Sequence, residues 1–192
     1  MVRGHVVVRA PTSDDLPAVL TMWEALRQTS GRGGPMAPAA SERRLKDRLV
    51  ELQTDPHYRV VVAEVDAVVV GMACFESRAM GPFVETPVVQ IDYLYVQADF
   101  HRRGVGRALV AAAAAFADEL GVEHVAVNVF PQIREANRFY ARIGFTPLVV
   151  RRIATVGVLR RRLGLDDGDH RQRAGLLARR RSALRARSTT PA

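Results

Sequence analysis

The sequence has few of the residues on which several common kinds of protein depend. Its 192 residues include one cysteine, Cys74, so no disulfide can form within the chain. Its single lysine, Lys46, is not preceded by the glycines of a Walker-type nucleotide loop, which excludes that motif. No apolar run approaches the length of a membrane-spanning helix. The chain is nevertheless 48% hydrophobic, enough for one sizeable core with an appendage.

Excess positive charge is absent from most of the chain. The formal net charge is +8, yet residues 1–150 hold 16 basic and 17 acidic residues, whereas residues 151–192 hold 12 arginines and three aspartates. The larger part therefore has no electrostatic footprint for a polyanion such as nucleic acid. The first apolar run is too short for a secretory signal, so a cytoplasmic location is expected.

The most informative stretch runs from Val88 to Leu109, VVQIDYLYVQADFHRRGVGRAL. Apolar and β-branched residues predict a strand over 88–96, and an Ala- and Leu-rich run predicts a helix that begins near Gly106. Gly104 and Gly106 then lie at a helix N-terminus. Free backbone N–H groups and the helix dipole can hold a phosphate there, with no Cβ in its way.

Three phosphate-binding designs share such a glycine turn, and their spacing separates them. The dinucleotide fingerprint needs a small residue where Leu109 stands and an acidic residue at the end of the next strand, where the sequence is VAVNVF. The Walker loop is excluded because it requires a lysine, and the single lysine of the chain, Lys46, lies far from this turn. What remains resembles an acyl-coenzyme A loop with the pattern Q/R-x-x-G-x-G/A, which falls on His101, Gly104 and Gly106, with histidine as a departure at its first position.

This loop and a second motif resemble the GCN5-related N-acetyltransferases. Residues 136–145, ANRFYARIGF, are similar to that family's A-x-x-[LF]-Y-x-x-x-GF signature, although Ile133 stands where the family usually has asparagine. Residues 60–148 also follow the family's order of elements. The resemblance implies an α/β (α+β) fold in which helices flank a mixed, mostly antiparallel central sheet. It implies an acetyltransferase domain over 1–153 and a basic C-terminal extension over 154–192.

The residue patterns predict the remaining elements in chain order. They indicate strands over 6–10, 58–64, 68–77 and 123–130, with a closing strand after Phe145 that extends to about 153. An irregular link is expected from Gly81-Pro82. Helices are expected over 15–28, from Ser41 to about 52, and from Pro131 to a left-handed stop at Gly144. The Gly- and Pro-rich loop over 31–40 is expected to cover the acceptor.

The resemblance also implies how acetyl-CoA would be bound, without a metal. The Leu94 N–H would face the acetyl carbonyl as an oxyanion donor, and the Val96 backbone would hold the pantetheine arm. Asn137 could hold the arm or a water. The residues expected to bind the cofactor are Leu94, Val96, His101, Arg102, Arg103, Gly104, Val105, Gly106, Arg107, Asn137 and Tyr140.

Tyr140 and Asp92 are the candidates for moving protons. By resemblance, Tyr140 would give a proton to the leaving thiolate. The family's glutamate aligns with Gln90, which cannot take a proton from an ammonium. Asp92, two residues on, is expected to share a strand face with Gln90 and Leu94, where it could act as the base. The alternative is that Asp92 anchors an arginine. Weaker candidates for the base are Tyr93, Tyr95 and His57.

The expected activity is N-acetyl transfer from acetyl-CoA to a primary amine of a small molecule, peptide or protein. The alternative is a non-catalytic acyl-CoA-binding or regulatory module with a basic interaction tail. In that tail, leucines at 176, 177 and 184 between arginines predict a basic amphipathic helix. It could dock on its own domain or on a second subunit in a homodimer, or it could contact a membrane surface or nucleic acid.

Overall fold

Five strands form one sheet, in the order of the chain. The structure is a computed structural model that describes residues 5–29, 42–81 and 83–165. The strands are β1 (Val6–Arg9), β2 (Tyr58–Val65), β3 (Val68–Gly81), β4 (Val84–Val96) and β5 (Val125–Val127). Strands β1 to β4 pair antiparallel, and β5 is parallel to β4. This is the mixed, mostly antiparallel sheet that the sequence predicts.

Helices follow the first, fourth and fifth strands. They are α1 (Leu16–Thr29), α2 (Glu42–Thr54), α3 (Val105–Glu119), α4 (Arg134–Arg142) and α5 (Val156–Arg162). By backbone contacts the chain divides into two compact units, Met1–Thr146 and Pro147–Ala192. The first unit holds the sheet and helices α1 to α4.

The sheet has a separate apolar core on each face. Residues of β2 alternate between them, because successive side chains of a strand point to opposite faces. Val61 and Ala63 pack with α3, and Val60 and Val62 pack with α1 and α2. The fully buried rings of Phe75 and Phe116 lie in the α3 core. The apolar residues of α1 and α2 therefore face the sheet, as in other amphipathic helices of globular proteins.

A buried carboxylate fixes the start of α1. Asp15 is 7% exposed, and its two oxygens accept from the Arg9 guanidinium at 2.6 and 3.0 Å. Thr12 donates its backbone N–H to the same carboxylate, and Arg9 also binds Glu64 of β2. The Arg9 hydrogen bonds lower the pKa of Asp15 to about 2. This network joins α1 to β1 and β2 by charge-assisted hydrogen bonds.

The hairpins on either side of β3 differ from the prediction in their lengths. Between β2 and β3, Asp66 and Ala67 both have positive φ, 51° and 61°, and form a two-residue turn, whereas the predicted strands over 58–64 and 68–77 leave three residues between them. Strands β3 and β4 continue to a pair between Gly81 and Val84. The expectation of an irregular link from Gly81 is therefore wrong, because cross-strand pairing extends both strands beyond their apolar runs.

The chain after β4 departs further from the prediction. Strand β5 spans three residues instead of eight, and α4 begins at Arg134 instead of Pro131. A turn in which the Ile133 N–H donates to the Phe130 carbonyl holds the intervening chain. Gly144, with φ of 102°, ends α4 as predicted. Residues 145–153 form no strand, since β-branched residues need a paired neighbour to make a ladder.

The second unit is described from Pro147 to residue 165. Its helix α5 begins after Thr155, whose hydroxyl accepts from the Val158 N–H, and three arginines occupy the last turn. Gly164 follows with φ of 68°. The predicted amphipathic helix around residues 176–184 lies outside the described residues. So do Ser41 and the loop over 31–40.

Candidate active site

The candidate site begins where β4 and β5 separate. Strand β5 pairs with β4 at three positions and the last is Ile91 with Val127, whereas β4 continues to Val96. On the opposite edge, β4 stays paired with β3 as far as Val96 and Gly71. Among the described residues, the β5-side edge of residues 92–96 therefore faces no neighbouring strand. An open edge of this kind can bind another extended chain.

A β-bulge at Asp92 divides β4. Ile91 pairs with Phe75 and Tyr93 with Cys74, so Asp92 is an extra residue in the ladder. Beyond the bulge, the Gln97 N–H donates to the Val70 carbonyl of β3 at 2.9 Å.

Backbone direction alternates along a strand, and Gln97 sets the alternation beyond the bulge. The N–H and C=O groups of Leu94 and Val96 therefore point away from β3, toward the open edge. Before the bulge the alternation is the reverse, since the Val89 N–H donates to His124 on the β5 side. The backbone groups predicted to meet acetyl-CoA thus lie on the edge that β5 leaves open.

The bulge also changes which side chains face α3. Ile91 packs in the α3 core, and beyond the bulge Leu94 and Val96 do the same. Asp92 affects a group on the other face. Cys74 packs against the α1–α2 core, burial raises its pKa to about 12, and the charge of Asp92 adds to that shift. The expectation that Asp92 shares one face with both Gln90 and Leu94 is therefore wrong, because the bulge breaks the two-residue alternation and puts Gln90 and Leu94 on opposite faces.

Asp92 has polar and aromatic neighbours on the face that α1 and α2 cover. Tyr58 donates its hydroxyl to Glu76 at 2.7 Å. That hydrogen bond raises the pKa of Tyr58 to about 12, and the Asp92 charge contributes to the shift. The rings of Trp23 and Tyr93 meet edge to face at 4.8 Å. Carboxylates beside aromatic rings are groups that attract a cationic amine.

The weaker candidates for a base are occupied otherwise or lie at the periphery. Gln90 is buried, and its side-chain amide donates to the Ile91 carbonyl at 3.1 Å. Tyr95 packs against the α1–α2 core, whereas His57 is exposed in the turn that precedes β2. Asp92 therefore remains the carboxylate of β4 that lies nearest the open edge.

The glycine turn forms a cradle at the start of α3. Gly104 has φ of 92° and caps the helix, and Arg102 before it has φ of 60°. The first hydrogen bond of the helix runs from the Ala108 N–H to the Gly104 carbonyl. The N–H groups of residues 105–107 therefore have no acceptor within the helix, so they can bind an anion. A Cβ at Gly104 would meet no atom within 4 Å.

Charged side chains surround this cradle. Arg102, Arg103 and Arg107 are exposed, and the Arg103 guanidinium lies 5.1 Å from the centre of the Phe100 ring. Val105 differs, because its side chain is buried in the α3 core and only its backbone can serve a ligand. The cradle fits the pyrophosphate of coenzyme A, which needs N–H donors and positive charge.

His101 makes a contact that the sequence does not reveal. Its Nε2 lies 3.0 Å from the Val96 carbonyl oxygen. Because a carbonyl oxygen only accepts, Nε2 carries the hydrogen in this bond. The histidine that departs from the loop pattern thus bonds the backbone predicted to hold the pantetheine arm. In this structure it links the open edge of β4 to the cradle.

Helix α4 places Tyr140 in an aromatic cluster. Tyr140 is 8% exposed, and its ring meets Phe139 and Phe145 edge to face at 5.0 and 5.4 Å. Burial raises the pKa of Tyr140 to about 12, so its hydroxyl keeps its proton at neutral pH. Phe139 also meets Gly106, where a Cβ would lie 3.4 Å from the ring. Helix α4 therefore packs on the first turn of α3.

Asn137 is engaged within its own segment. Its Nδ2 donates to the carbonyls of Phe130 and Ile133 at 3.0 and 2.8 Å, which ties the preceding turn to α4. Its predicted contact with the cofactor arm stays a prediction. Among the described residues, no three His, Cys, Asp or Glu side chains gather as a metal-binding group. No helix in the described part of the chain is long and apolar enough to cross a membrane.

Comparisons with known proteins identify one family by sequence and several similar solved structures. Residues 21–145 match the model of the Acetyltransferase (GNAT) family. A transcriptional regulator from Bacillus halodurans C-125 is 23% identical, with a TM-score of 0.64 over 79% of this chain and 99% of its own. Aminoglycoside N-acetyltransferase AAC(6')-Iy, in complex with CoA, is 21% identical, with a TM-score of 0.62 over 79% of this chain and 95% of its own.

The ribosomal-protein-alanine N-acetyltransferase from Brucella melitensis biovar Abortus 2308 is 18% identical, with a TM-score of 0.58 over 79% of this chain and 99% of its own. At these identities the likeness shows the fold alone. No curated protein matches the chain in sequence. The family model spans well over half of the chain, and this protein therefore belongs to the GNAT acetyltransferase family.

Proposed function

We propose that this protein transfers the acetyl group of acetyl-CoA to a primary amine of a small molecule, peptide or protein. The observation that carries the proposal is the open edge of β4, where Leu94 and Val96 present backbone groups beside the cradle at Gly104. A thioester with a long amide-containing arm and a pyrophosphate fits both parts at once. Acetyl-CoA supplies the activated acetyl group.

The residues at the open edge would hold and polarise the donor. Val96 offers an N–H and a carbonyl to the arm, once the carbonyl is released from His101. The Leu94 N–H would donate to the acetyl oxygen as negative charge develops on it. A donor of this kind lowers the barrier by about 2.7 to 4 kcal/mol. The free N–H groups of residues 105–107, with Arg102, Arg103 and Arg107, would hold the pyrophosphate.

Asp92 and Tyr140 would move the protons of the reaction. Asp92 would take one proton from the ammonium of the acceptor, so that a neutral amine forms the new C–N bond. The C–S bond then breaks, and Tyr140 would donate its hydroxyl proton to the leaving sulfur. The nitrogen loses its second proton as the amide forms, and that proton would return to the Tyr140 oxygen through water. A tyrosine suits this role here because burial keeps it protonated. The other carboxylate on the Asp92 face, Glu76, would favour acceptors that carry positive charge.

The test is a thiol-release screen in which amines and peptides are offered with acetyl-CoA. Aminoglycosides and peptides that begin with alanine are the first acceptors, because structural relatives carry those names. We expect acceptor-dependent release of free CoA thiol and a product heavier by one acetyl group. Gly104→Asp, which places a carboxylate in the cradle, is the matched control. Tight CoA binding without acetylation of any amine would contradict the proposal and favour a binding module.

A further inference from the structure

We infer that Gly71 of β3 is a positioning residue that sets the distance between the two halves of the acetyl-CoA site. This inference rests on the proposed function. Gly71 pairs with Val96 across the sheet, and it also lies beneath the first turn of α3. It is therefore in contact with both the open edge of β4 and the helix that carries the cradle.

The close approach at Gly71 leaves too little room for a methyl group unless its neighbours move. A Cβ there would lie 3.1 Å from the Tyr95 carbonyl oxygen, 3.1 Å from Val105 Cγ1 and 3.3 Å from Leu109 Cδ1. These distances are shorter than ordinary van der Waals contacts. Gly71 is not among the glycines with positive φ in the described chain, so its function there is to permit close approach.

The neighbours that a methyl group would displace belong to the two parts of the site. Tyr95 lies between Leu94 and Val96, so pushing its carbonyl shifts the edge that would hold the pantetheine arm. Val105 is the first residue of α3, so pushing its side chain shifts the cradle. The α3 side of this contact is well packed, since Val105 and Leu109 are almost fully buried, and it has little freedom to yield. A methyl group at position 71 would therefore separate the arm site from the pyrophosphate site.

A ligand that spans both parts must match this separation, whereas a ligand that uses one part does not. CoA spans them. Adenosine 3′-phosphate 5′-diphosphate, its nucleotide half, ends at the pyrophosphate. A misplacement of about 1 Å can cost about 100-fold in rate. By analogy, a misplacement of a few tenths of an ångström is expected to weaken CoA binding about tenfold. Binding of the nucleotide half should change by less than about twofold, since it touches only the cradle.

The experiment measures both affinities by calorimetry for wild type and Gly71→Ala. We expect the CoA Kd to rise about tenfold in Gly71→Ala, with the nucleotide Kd unchanged. Gly81→Ala lies on the same strand and adds a Cβ that meets no atom within 4 Å, so it should leave both values unchanged. An unchanged CoA Kd in Gly71→Ala, or an equal loss for both ligands, would overturn the inference.

A second pair of variants keeps the test decisive even if Gly71→Ala folds poorly. Val105→Ala removes the Cγ1 atom that the new methyl group would meet. Adding Gly71→Ala to Val105→Ala should raise the CoA Kd by less than about threefold relative to Val105→Ala alone. If the double variant folds but its CoA Kd exceeds that of Val105→Ala by about threefold or more, Gly71 has only a structural role. Failure of wild-type protein to bind CoA would instead contradict the proposed function.

Discussion

The two halves of β4 differ in strand pairing and in burial. At residues 89–91 the strand is paired with β3 on one edge and β5 on the other, and residues 88–91 are buried. Beyond the bulge at Asp92 only β3 pairs with it, and residues 92–97 are partly exposed.

Under the proposed function, this difference lets one strand serve stability and binding together. Backbone N–H and C=O groups need partners, so a strand edge left open can pair with a ligand. The bulge makes the division, because it turns the backbone of Leu94 and Val96 to that edge. The first half of β4 holds these groups in place through its pairing with β3 and β5.

The largest effect is expected from placing a charged side chain in the cradle at the start of α3. Gly104→Asp places a carboxylate at the pyrophosphate position, so we expect the CoA Kd to rise more than about 100-fold in calorimetry. Gly104→Ala is the matched control, because it bears the same strain of a positive φ, about 1 to 2 kcal/mol, without the charge. Equal Kd values for the two variants would mean that no anion binds there.

The next effect concerns the bulge itself. Asp92→Asn keeps the shape of the side chain and removes the proton acceptor, so we expect turnover to fall by about 10² to 10⁴. The acidic limb of the rate profile should then be replaced by one that reports the ionisation of the acceptor amine itself. Asp99→Asn, an exposed carboxylate beyond the end of β4, is the control and should keep wild-type turnover. If Asp92→Asn keeps both the rate and the acidic limb, Asp92 is not the base.

A smaller effect is expected from Tyr140→Phe, which removes the acid and leaves the aromatic cluster intact. Turnover should fall about 10- to 100-fold with little change in CoA affinity. Because burial raises the pKa of Tyr140 to about 12, its acidic form persists through the neutral range, and Tyr140 should cause no basic limb below about pH 11. Tyr93→Phe, a tyrosine next to the bulge, is the control. Unchanged turnover in Tyr140→Phe, with chemistry rate-limiting, would remove Tyr140 from the mechanism.

Much of the fold around β4 could be predicted from the sequence. The apolar run over 88–96, the glycine turn and the Ala-rich helix are local patterns. Gly104 lies at the helix N-terminus as expected, and Gly144 adopts the left-handed conformation expected of it. The family motifs then extend those patterns to a fold. The bulge could not be predicted, because it depends on how β3 pairs with β4, and Asp92 lies within an otherwise regular run of strand residues.

Other features depend on contacts between distant segments. An isolated glycine in a strand, as at Gly71, signals close approach, but only the structure shows that α3 is what approaches. The bond from His101 to Val96 depends on the turn between β4 and α3. The length of β5 depends on where β4 leaves it, so residues 128–130 have the composition of a strand without forming one.

The smallest effect on activity is expected at Asp15, a carboxylate that serves stability. Asp15→Asn should leave turnover unchanged and lower the free energy of unfolding by about 2 kcal/mol, the worth of the shift from 3.8 to about 2. Since the folded pKa is the lower one, this stabilisation is present above about pH 4 and is lost as the pH falls toward 2.

The matched control for Asp15 is Glu119→Gln. Glu119 pairs with Arg59 at 2.7 Å but is exposed, so its removal should change the urea midpoint little. A urea midpoint for Asp15→Asn that equals the wild-type value at pH 7 would show that the Arg9 network does not stabilise the fold. Loss of turnover at full stability would show that Asp15 acts in the site.

The central claim concerns backbone groups that no side-chain substitution can remove, and amide hydrogen exchange measured by NMR tests it directly. In the free protein, the Val89 and Ile91 amides should exchange slowly because β5 pairs with them, whereas the Leu94 and Val96 amides should exchange fast. Saturation with acetyl-CoA should slow exchange at Leu94 and Val96 and leave Val89 and Ile91 unchanged. Exchange at Leu94 and Val96 that stays fast in saturating acetyl-CoA would contradict the account.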